Sequence, residues 1–222
     1  MENLMTHAIV FDLDGTLVDS APDLHAAANK VLGHFDQAPL ALEKVTSFIG
    51  NGIPNLVRLA RIECGLPEAE EEQMKTLMLD YYSGHPADLS CPYPGVIDAL
   101  TTLAAAGYKL GVCTNKFWTP SNQILDALKL SHFFDVVIGG DSLPVKKPDP
   151  APLFAAFSEL KATTQLYVGD SEVDAETAER AKIPFGLFTR GYRKTPVEEL
   201  TSSFTFHSFQ NLVRSIEQHH AP

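Results

Sequence analysis

Ile9-Val10-Phe11-Asp12-Leu13-Asp14-Gly15-Thr16 decides how this chain is read, because in it an apolar run ends in two acids. Ala8 to Phe11 has the apolar, turn-free composition of a short buried strand. Residues two apart on extended chain share a face, so Asp12 and Asp14 point into one small volume. Two carboxylates held together repel unless a cation sits nearby or one keeps its proton. Folding gains nothing from that arrangement, whereas a metal site or acid–base chemistry requires it. Asp-x-Asp-Gly also occurs as a solvated turn and as a piece of a calcium loop. A calcium loop needs further ligands at fixed offsets, closing on a Glu, and Asp19 and Ser20 do not supply them.

Three later stretches repeat the theme. Leu110-Gly111-Val112-Cys113-Thr114-Asn115 is a second short apolar strand with a polar end. Leu143 to Pro150 (Leu-Pro-Val-Lys-Lys-Pro-Asp-Pro) sets lysine against proline ahead of an apolar helical run. Leu166-Tyr167-Val168-Gly169-Asp170 is a third strand ending in acid, and Asp174 follows four residues on. Together these supply a nucleophile, a phosphate ligand, a cation and metal ligands at strand ends, where open α/β sheets gather their sites. In this order and company the four motifs resemble the haloacid dehalogenase superfamily, in its phosphatase branch. The resemblance runs from Asp12 to Asp174, most of the chain. Thr114-Asn115-Lys116 resembles the triplet of phosphoglycolate phosphatases more than that of the related sugar phosphomutases.

Composition narrows the partners. A chain of 222 residues, 45% hydrophobic and 20% charged, suits a globular domain carrying an insertion. A net charge of −11 disfavours nucleic acid and anionic membranes, both of which reward basic patches. Binding a phosphate then requires local positive potential from a metal, a lysine and backbone N–H groups. Cys64, Cys91 and Cys113 are scattered and form no C-x-x-C, so they read as reduced thiols of a cytoplasmic protein. Neither a signal peptide nor a membrane-length apolar run is recognised. The expectation is a cytoplasmic monomer or homodimer with no nucleic-acid or membrane partner.

From Tyr93 onward helix and strand alternate. Strands are expected at Lys109–Cys113, Asp135–Ile138, Gln165–Val168 and Phe185–Phe188, with one more possible between Thr201 and His207. Helices are expected at Gly95–Ala106, Pro120–Leu128, Ala151–Leu160, Ser171–Ala181 and Ser208–Gln218. That rhythm predicts an α/β fold: a Rossmann-like core with a parallel sheet covered on both faces. Leu17 to Gly84 breaks it, with helices expected at Pro22–Leu32, Leu40–Phe48, Pro54–Ile62 and Glu68–Tyr82 and no convincing strand. The expected division is a core of residues 1–16 and 85–222 and an inserted all-helical segment of residues 17–84. The resemblance makes that insert a cap that closes over the site; a structural elaboration away from the chemistry is its rival.

The resemblance assigns roles residue by residue. Asp12 is the nucleophile that forms an aspartyl-phosphate, and Asp14 is the acid and then the base. Relatives that expel halide lack an acid at the second position, so Asp14 favours phosphate chemistry. Thr114 and Asn115 bind the phosphoryl group, and Lys147 neutralises its charge, with Lys146 as a solvated rival. Magnesium is expected on Asp12, the main-chain carbonyl of Asp14, and Asp170, with Asp174 in the outer shell or, alternatively, a solvated surface acid. Gly50-Asn51-Gly52 resembles the substrate loop of bacterial phosphoglycolate phosphatases, and Arg58 could pair with a substrate carboxylate or lie at the surface. The expected substrate is a small phosphorylated carboxylic acid, 2-phosphoglycolate foremost. Pyrophosphate or a small sugar phosphate is the alternative within enzymes, and a phospho-accepting receiver-type signalling module is the alternative outside them.

Overall fold

The computed structural model describes residues 6–85 and 87–219. In chain order its elements are β1 His7–Phe11, β2 Val18–Asp19, α1 Ala21–His34, α2 Leu42–Thr46, α3 Ile53–Glu63, α4 Glu71–Gly84 and β3 Cys91–Pro92. There follow α5 Val96–Ala105, β4 Lys109–Cys113, α6 Trp118–Ala127, β5 Val136–Ile138, α7 Ala151–Glu159 and β6 Thr164–Gly169. The chain closes with α8 Glu172–Ala181, β7 Phe185–Phe188, β8 Phe204–Phe206 and α9 Phe209–His219.

Six strands form one sheet in the order β5-β4-β1-β6-β7-β8, and every neighbouring pair is parallel. The central strand shows why this sequence makes a sheet buried on both sides. Ile9 and Phe11 join one apolar cluster with residues of α5, α6 and α9. Ala8 and Val10 join the other, with residues of α7 and α8. Period-two alternation thus feeds two cores from one five-residue strand. Each fully buried side chain of this kind contributes roughly 1.5–3 kcal/mol, which offsets the repulsion gathered at the strand's end.

The helical insert has its own apolar cluster, running from Ala21 to Tyr82 across α1–α4. Leu17 and Val18, assigned to the insert from sequence, pack instead with the main core. Strands β2 and β3 pair antiparallel, Val18 with Pro92 and Asp19 with Cys91, so the two crossings between insert and core lie side by side. Asp23, buried on α1, fastens the return segment by accepting hydrogen bonds from the N–H groups of Leu89 and Ser90 and from Ser90 Oγ. This ribbon was not anticipated, because two-residue strands carry no periodicity. The helix expected at Leu40–Phe48 shrinks to the five residues of α2, with turns following from Ser47. Among the described residues no helix is long and apolar enough to cross a membrane.

Candidate active site

The chain visits β1, then β4 and β5 on one side, then crosses to β6, β7 and β8 on the other. The order therefore reverses around β1, and the crevice at its C-terminal end is where such sheets bind ligands. Asp12 follows β1, Thr114 follows β4 and Asp170 follows β6. Three of the four sequence motifs thus meet because three adjacent parallel strands end together.

Lys147 completes the set. It is 2% exposed, and its Nζ stands 2.9 Å from Asp12 Oδ1 and 2.7 Å from Asp174 Oδ1. It also donates to Tyr167 Oη at 2.8 Å. The lysine facing Asp12 is thus Lys147, and Lys146 is exposed, donating to the main-chain oxygen of Asn51. The contact to Asp12 is an ion pair off the hydrogen-bond line, leaving Oδ1 buried with no donor aimed at it. Burial, and next the charge of Asp174, push the Asp12 carboxyl up to about 7 against the pull of Lys147. Burial works against the ammonium of Lys147, but the acids beside it outweigh that and raise its pKa.

Asp174 is fully buried, so it is no solvated surface acid. Its Oδ1 accepts from Lys147 and Tyr167, and its Oδ2 from Ser171 Oγ and the N–H groups of Asp170 and Ser171. Those five donors use up the lone-pair sites of a carboxylate. Burial disfavours its charge, yet Lys147 and these hydrogen bonds hold its carboxyl below the usual range. Asp174 thus sits in the acid cluster with Asp12 and Asp170 while it caps α8 and orients Lys147, a place that suits the expected outer-shell role. The signal was legible, since Ser171-x-x-Asp174 is a capping-box pattern.

Asp170 accepts from Thr16 Oγ1 at 2.7 Å and from the N–H of Tyr192 at 2.6 Å. The Tyr192 hydroxyl reaches the ribbon, donating to Asp19 and accepting from the N–H of Ala21. Two glycines make the slot for Asp170. A Cβ on Gly15, whose φ is +86°, would lie 2.6 Å from Asp170 Oδ2, and a Cβ on Gly191 would overlap the same carboxylate. Oxygens of Asp12, Asp170 and Asp174 lie within 4.8 Å of one another. Burial, then the neighbouring acids, hold the Asp170 carboxyl well above its usual range. Asp12 and Asp170, each with acceptor capacity left, fit a hard divalent cation that would relieve this repulsion.

Asp14 faces elsewhere. Its carboxylate accepts from Ser20 Oγ at 2.6 Å and from Lys116 Nζ at 3.1 and 3.2 Å. Lys116, 4% exposed, also donates to Tyr82 Oη on α4 at 2.7 Å. Burial opposes its charge, but Asp14 and Tyr82 outweigh that and raise its pKa. A cleft runs between the sheet end and the helical insert. Its sheet side is Asp12, Asp14, Thr114, Asn115 and Lys116, and its insert side is Leu24, Ile49, Gly50, Gly52, Ile53 and Leu56. The space between measures about 30 Å³, enough for a water or two. Gly52, at φ +83°, allows this approach, since a Cβ there would stand 2.8 Å from the main-chain oxygen of Asn115. Asn51 borders the adjoining recess with Asp170, Tyr192 and Lys194.

Two further expected residues are placed as follows. The Asn115 amide donates to the carbonyl oxygens of Gly50 (3.1 Å) and Lys147 (3.0 Å), so it braces the insert loop against the lysine loop. Its Oδ1, buried and without a partner, would repel a phosphoryl oxygen. Arg58 lies exposed on α3, away from the cleft lining, and donates to Asn55 Oδ1. Sequence reasoning gave no site role to Thr16, Ser20, Tyr82, Tyr167 and Tyr192. Tyr167 had a usable signal, being a hydroxyl in the buried half of its strand, between Leu166 and Val168.

Residues 9–188 match the family model of haloacid dehalogenase-like hydrolases. Over 194 residues the chain is 50% identical to a phosphoglycolate phosphatase of Cereibacter sphaeroides, covering 86% of this chain and 89% of that one. It is 39% identical over 220 residues to a phosphoglycolate phosphatase of Caulobacter vibrioides, covering 97% and 92%. A crystal structure described as a predicted phosphoglycolate phosphatase from Haemophilus somnus superposes with a TM-score of 0.90 at 32% identity, over 95% of this chain and 97% of that one. With its sheet order, its four motifs and these relatives in agreement, the chain belongs to the haloacid dehalogenase-like hydrolases, in the phosphoglycolate phosphatase family.

Proposed function

We propose that the chain hydrolyses 2-phosphoglycolate to glycolate and phosphate, through a phosphoryl group carried on Asp12. The observation that carries this reading is Asp12 itself: a buried carboxylate at the switch point, with Lys147 at 2.9 Å and one oxygen free of aimed donors. An Asp12 oxygen attacks phosphorus in line while the ester P–O bond breaks. Asp14 gives a proton to the departing glycolate oxygen, then takes one from the water that splits the acyl phosphate. Lys147 neutralises the charge of the transferring group, and Thr114 donates its hydroxyl to it. Magnesium would be held by Asp12, Asp170 and the main-chain carbonyl of Asp14, whose side chain is turned to Lys116, and would supply Lewis-acid charge at the phosphoryl oxygens.

The helical insert serves as the cap. It covers the cleft over Asp12 and Asp14 and joins the core through the β2–β3 ribbon, about which the cap would lift to admit substrate. A panel of phosphate esters with magnesium tests the assignment. Phosphoglycolate should exceed pyrophosphate, glucose phosphates and nucleoside monophosphates in kcat/KM. If one of those wins, the named substrate falls and the phosphatase stands. A long-lived acyl phosphate without turnover would instead mark a storage module.

A further inference from the structure

We infer that Lys116, held by Tyr82 of the cap, is the residue that recognises the substrate's carboxylate. The inference rests on the phosphatase reading and names the specificity device of the same site. Three charged side chains line the main cleft, Asp12, Asp14 and Lys116, and the opposing wall is apolar side chain and main chain. Lys147 is committed to Asp12 and Asp174. Among the described residues, Lys116 is therefore the cation of that cleft available to a second anionic group.

Its position suits the substrate's length. Asp14, as proton donor, must touch the ester oxygen. In phosphoglycolate the carboxylate carbon is two bonds from that oxygen, so the carboxylate lies one hydrogen-bond length from whatever borders Asp14. Lys116 Nζ is that neighbour, at 3.1 Å. Its contacts go to two groups, a long pair to the two oxygens of Asp14 and a short one to Tyr82 Oη. An ammonium has three N–H donors, and one of them can serve both long contacts to the Asp14 carboxylate, which frees a donor for a ligand. The first turn of α3, which has no side-chain cap, opens on the same cleft at Ile53 and adds positive potential. Tyr82 belongs to α4 and lies 1% exposed, and its ring lies under the ammonium, 4.3 Å from Nζ to centroid. Closing the cap therefore sets the lysine's place, which makes Tyr82 a positioning residue.

The test compares phosphoglycolate with 2-hydroxyethyl phosphate, which has the same two carbons and an uncharged CH2OH in place of the carboxylate. Wild type should prefer phosphoglycolate in kcat/KM, and Lys116→Met should shrink that ratio by about 10- to 100-fold, the worth of a charge-assisted hydrogen bond. Tyr82→Phe keeps the ring and removes the acceptor, so it should shrink the ratio less, mainly through KM. Equal losses on both esters in Lys116→Met would mean that Lys116 acts through Asp14 alone, and would overturn the inference. Should Lys116→Met fail to fold, an unchanged ratio in Tyr82→Phe with unchanged KM values would overturn it instead. A wild-type ratio near one overturns the named substrate itself, before any variant is made.

Discussion

The two walls of the cleft are built on different rules. The sheet wall is made of charged side chains held by other side chains: Asp12 by Lys147, Asp170 by Thr16, Asp14 by Ser20 and Lys116. The cap wall offers Leu24, Ile49, Ile53 and Leu56 together with glycine main chain. Where the walls touch near the cap loop, that loop contributes carbonyl oxygens: Ile49 to Lys194, Gly50 to Asn115 and Asn51 to Lys146. Chemistry thus depends on the identity of side chains, and closure depends on the path of the backbone. Variants on the first wall should change what the enzyme can do, and variants on the second how well it holds what it acts on.

The strongest way to break this comparison is Asp12→Asn. The amide cannot accept the phosphoryl group, so initial rates should fall at least about 10³-fold on every ester, with mass spectrometry excluding deamidation. Retention of much of the wild-type rate would move the chemistry off the sheet wall. A smaller effect concerns the metal. Asp170→Ala should raise the magnesium concentration giving half-maximal rate. Asp12 is held up to about 7 in the fold, against 3.8 as its ordinary value. Between those pH values the metal-free fold keeps a proton that the unfolded chain releases, so this group's contribution to stability falls as pH rises. A cation competes with that proton, so the gain in Tm on adding magnesium should widen as pH rises through about 7. A gain independent of pH would place the cation elsewhere. The smallest effects belong to the cap's outer face: Arg58→Ala should leave kcat/KM within about twofold, as surface changes do. A large selective loss on phosphoglycolate would return Arg58 to the site.

The same difference explains what could be read in advance. Asp12 and Asp170 stood out in sequence because buried strand ends tolerate charge poorly, so an acid there signals work; Asp14 stood out by its spacing from Asp12, and Lys147 was preferred to Lys146 only by resemblance. The sheet followed from the helix–strand rhythm of the second half, and even Phe204–Phe206 was foreseen as a short strand. The cap loop was found through its glycines, while its acceptor carbonyls are common to every residue type and leave no mark in sequence. The bracing part of Asn115 was not legible because its residue type fits a phosphate ligand and a backbone brace equally well. The capping part of Asp174 went unread because an acid four residues past a strand end fits both a metal and a helix cap. Tyr192 lay hidden because it meets Asp170 through its main chain and the ribbon through its hydroxyl, across 173 residues to Asp19.

Gly15 and Gly191, the two walls of the Asp170 slot, have a consequence for anyone scanning this protein by mutation. Neither carries a functional group, yet a side chain at either would displace the carboxylate, and the φ of +86° at Gly15 disfavours any other residue. In a saturation scan scored by turnover, both positions will behave like active-site residues. In a scan scored by abundance, exchanges at Gly191 will look milder, because moving Asp170 removes a function rather than a core. Comparing the two scores will separate residues that act from residues that make room.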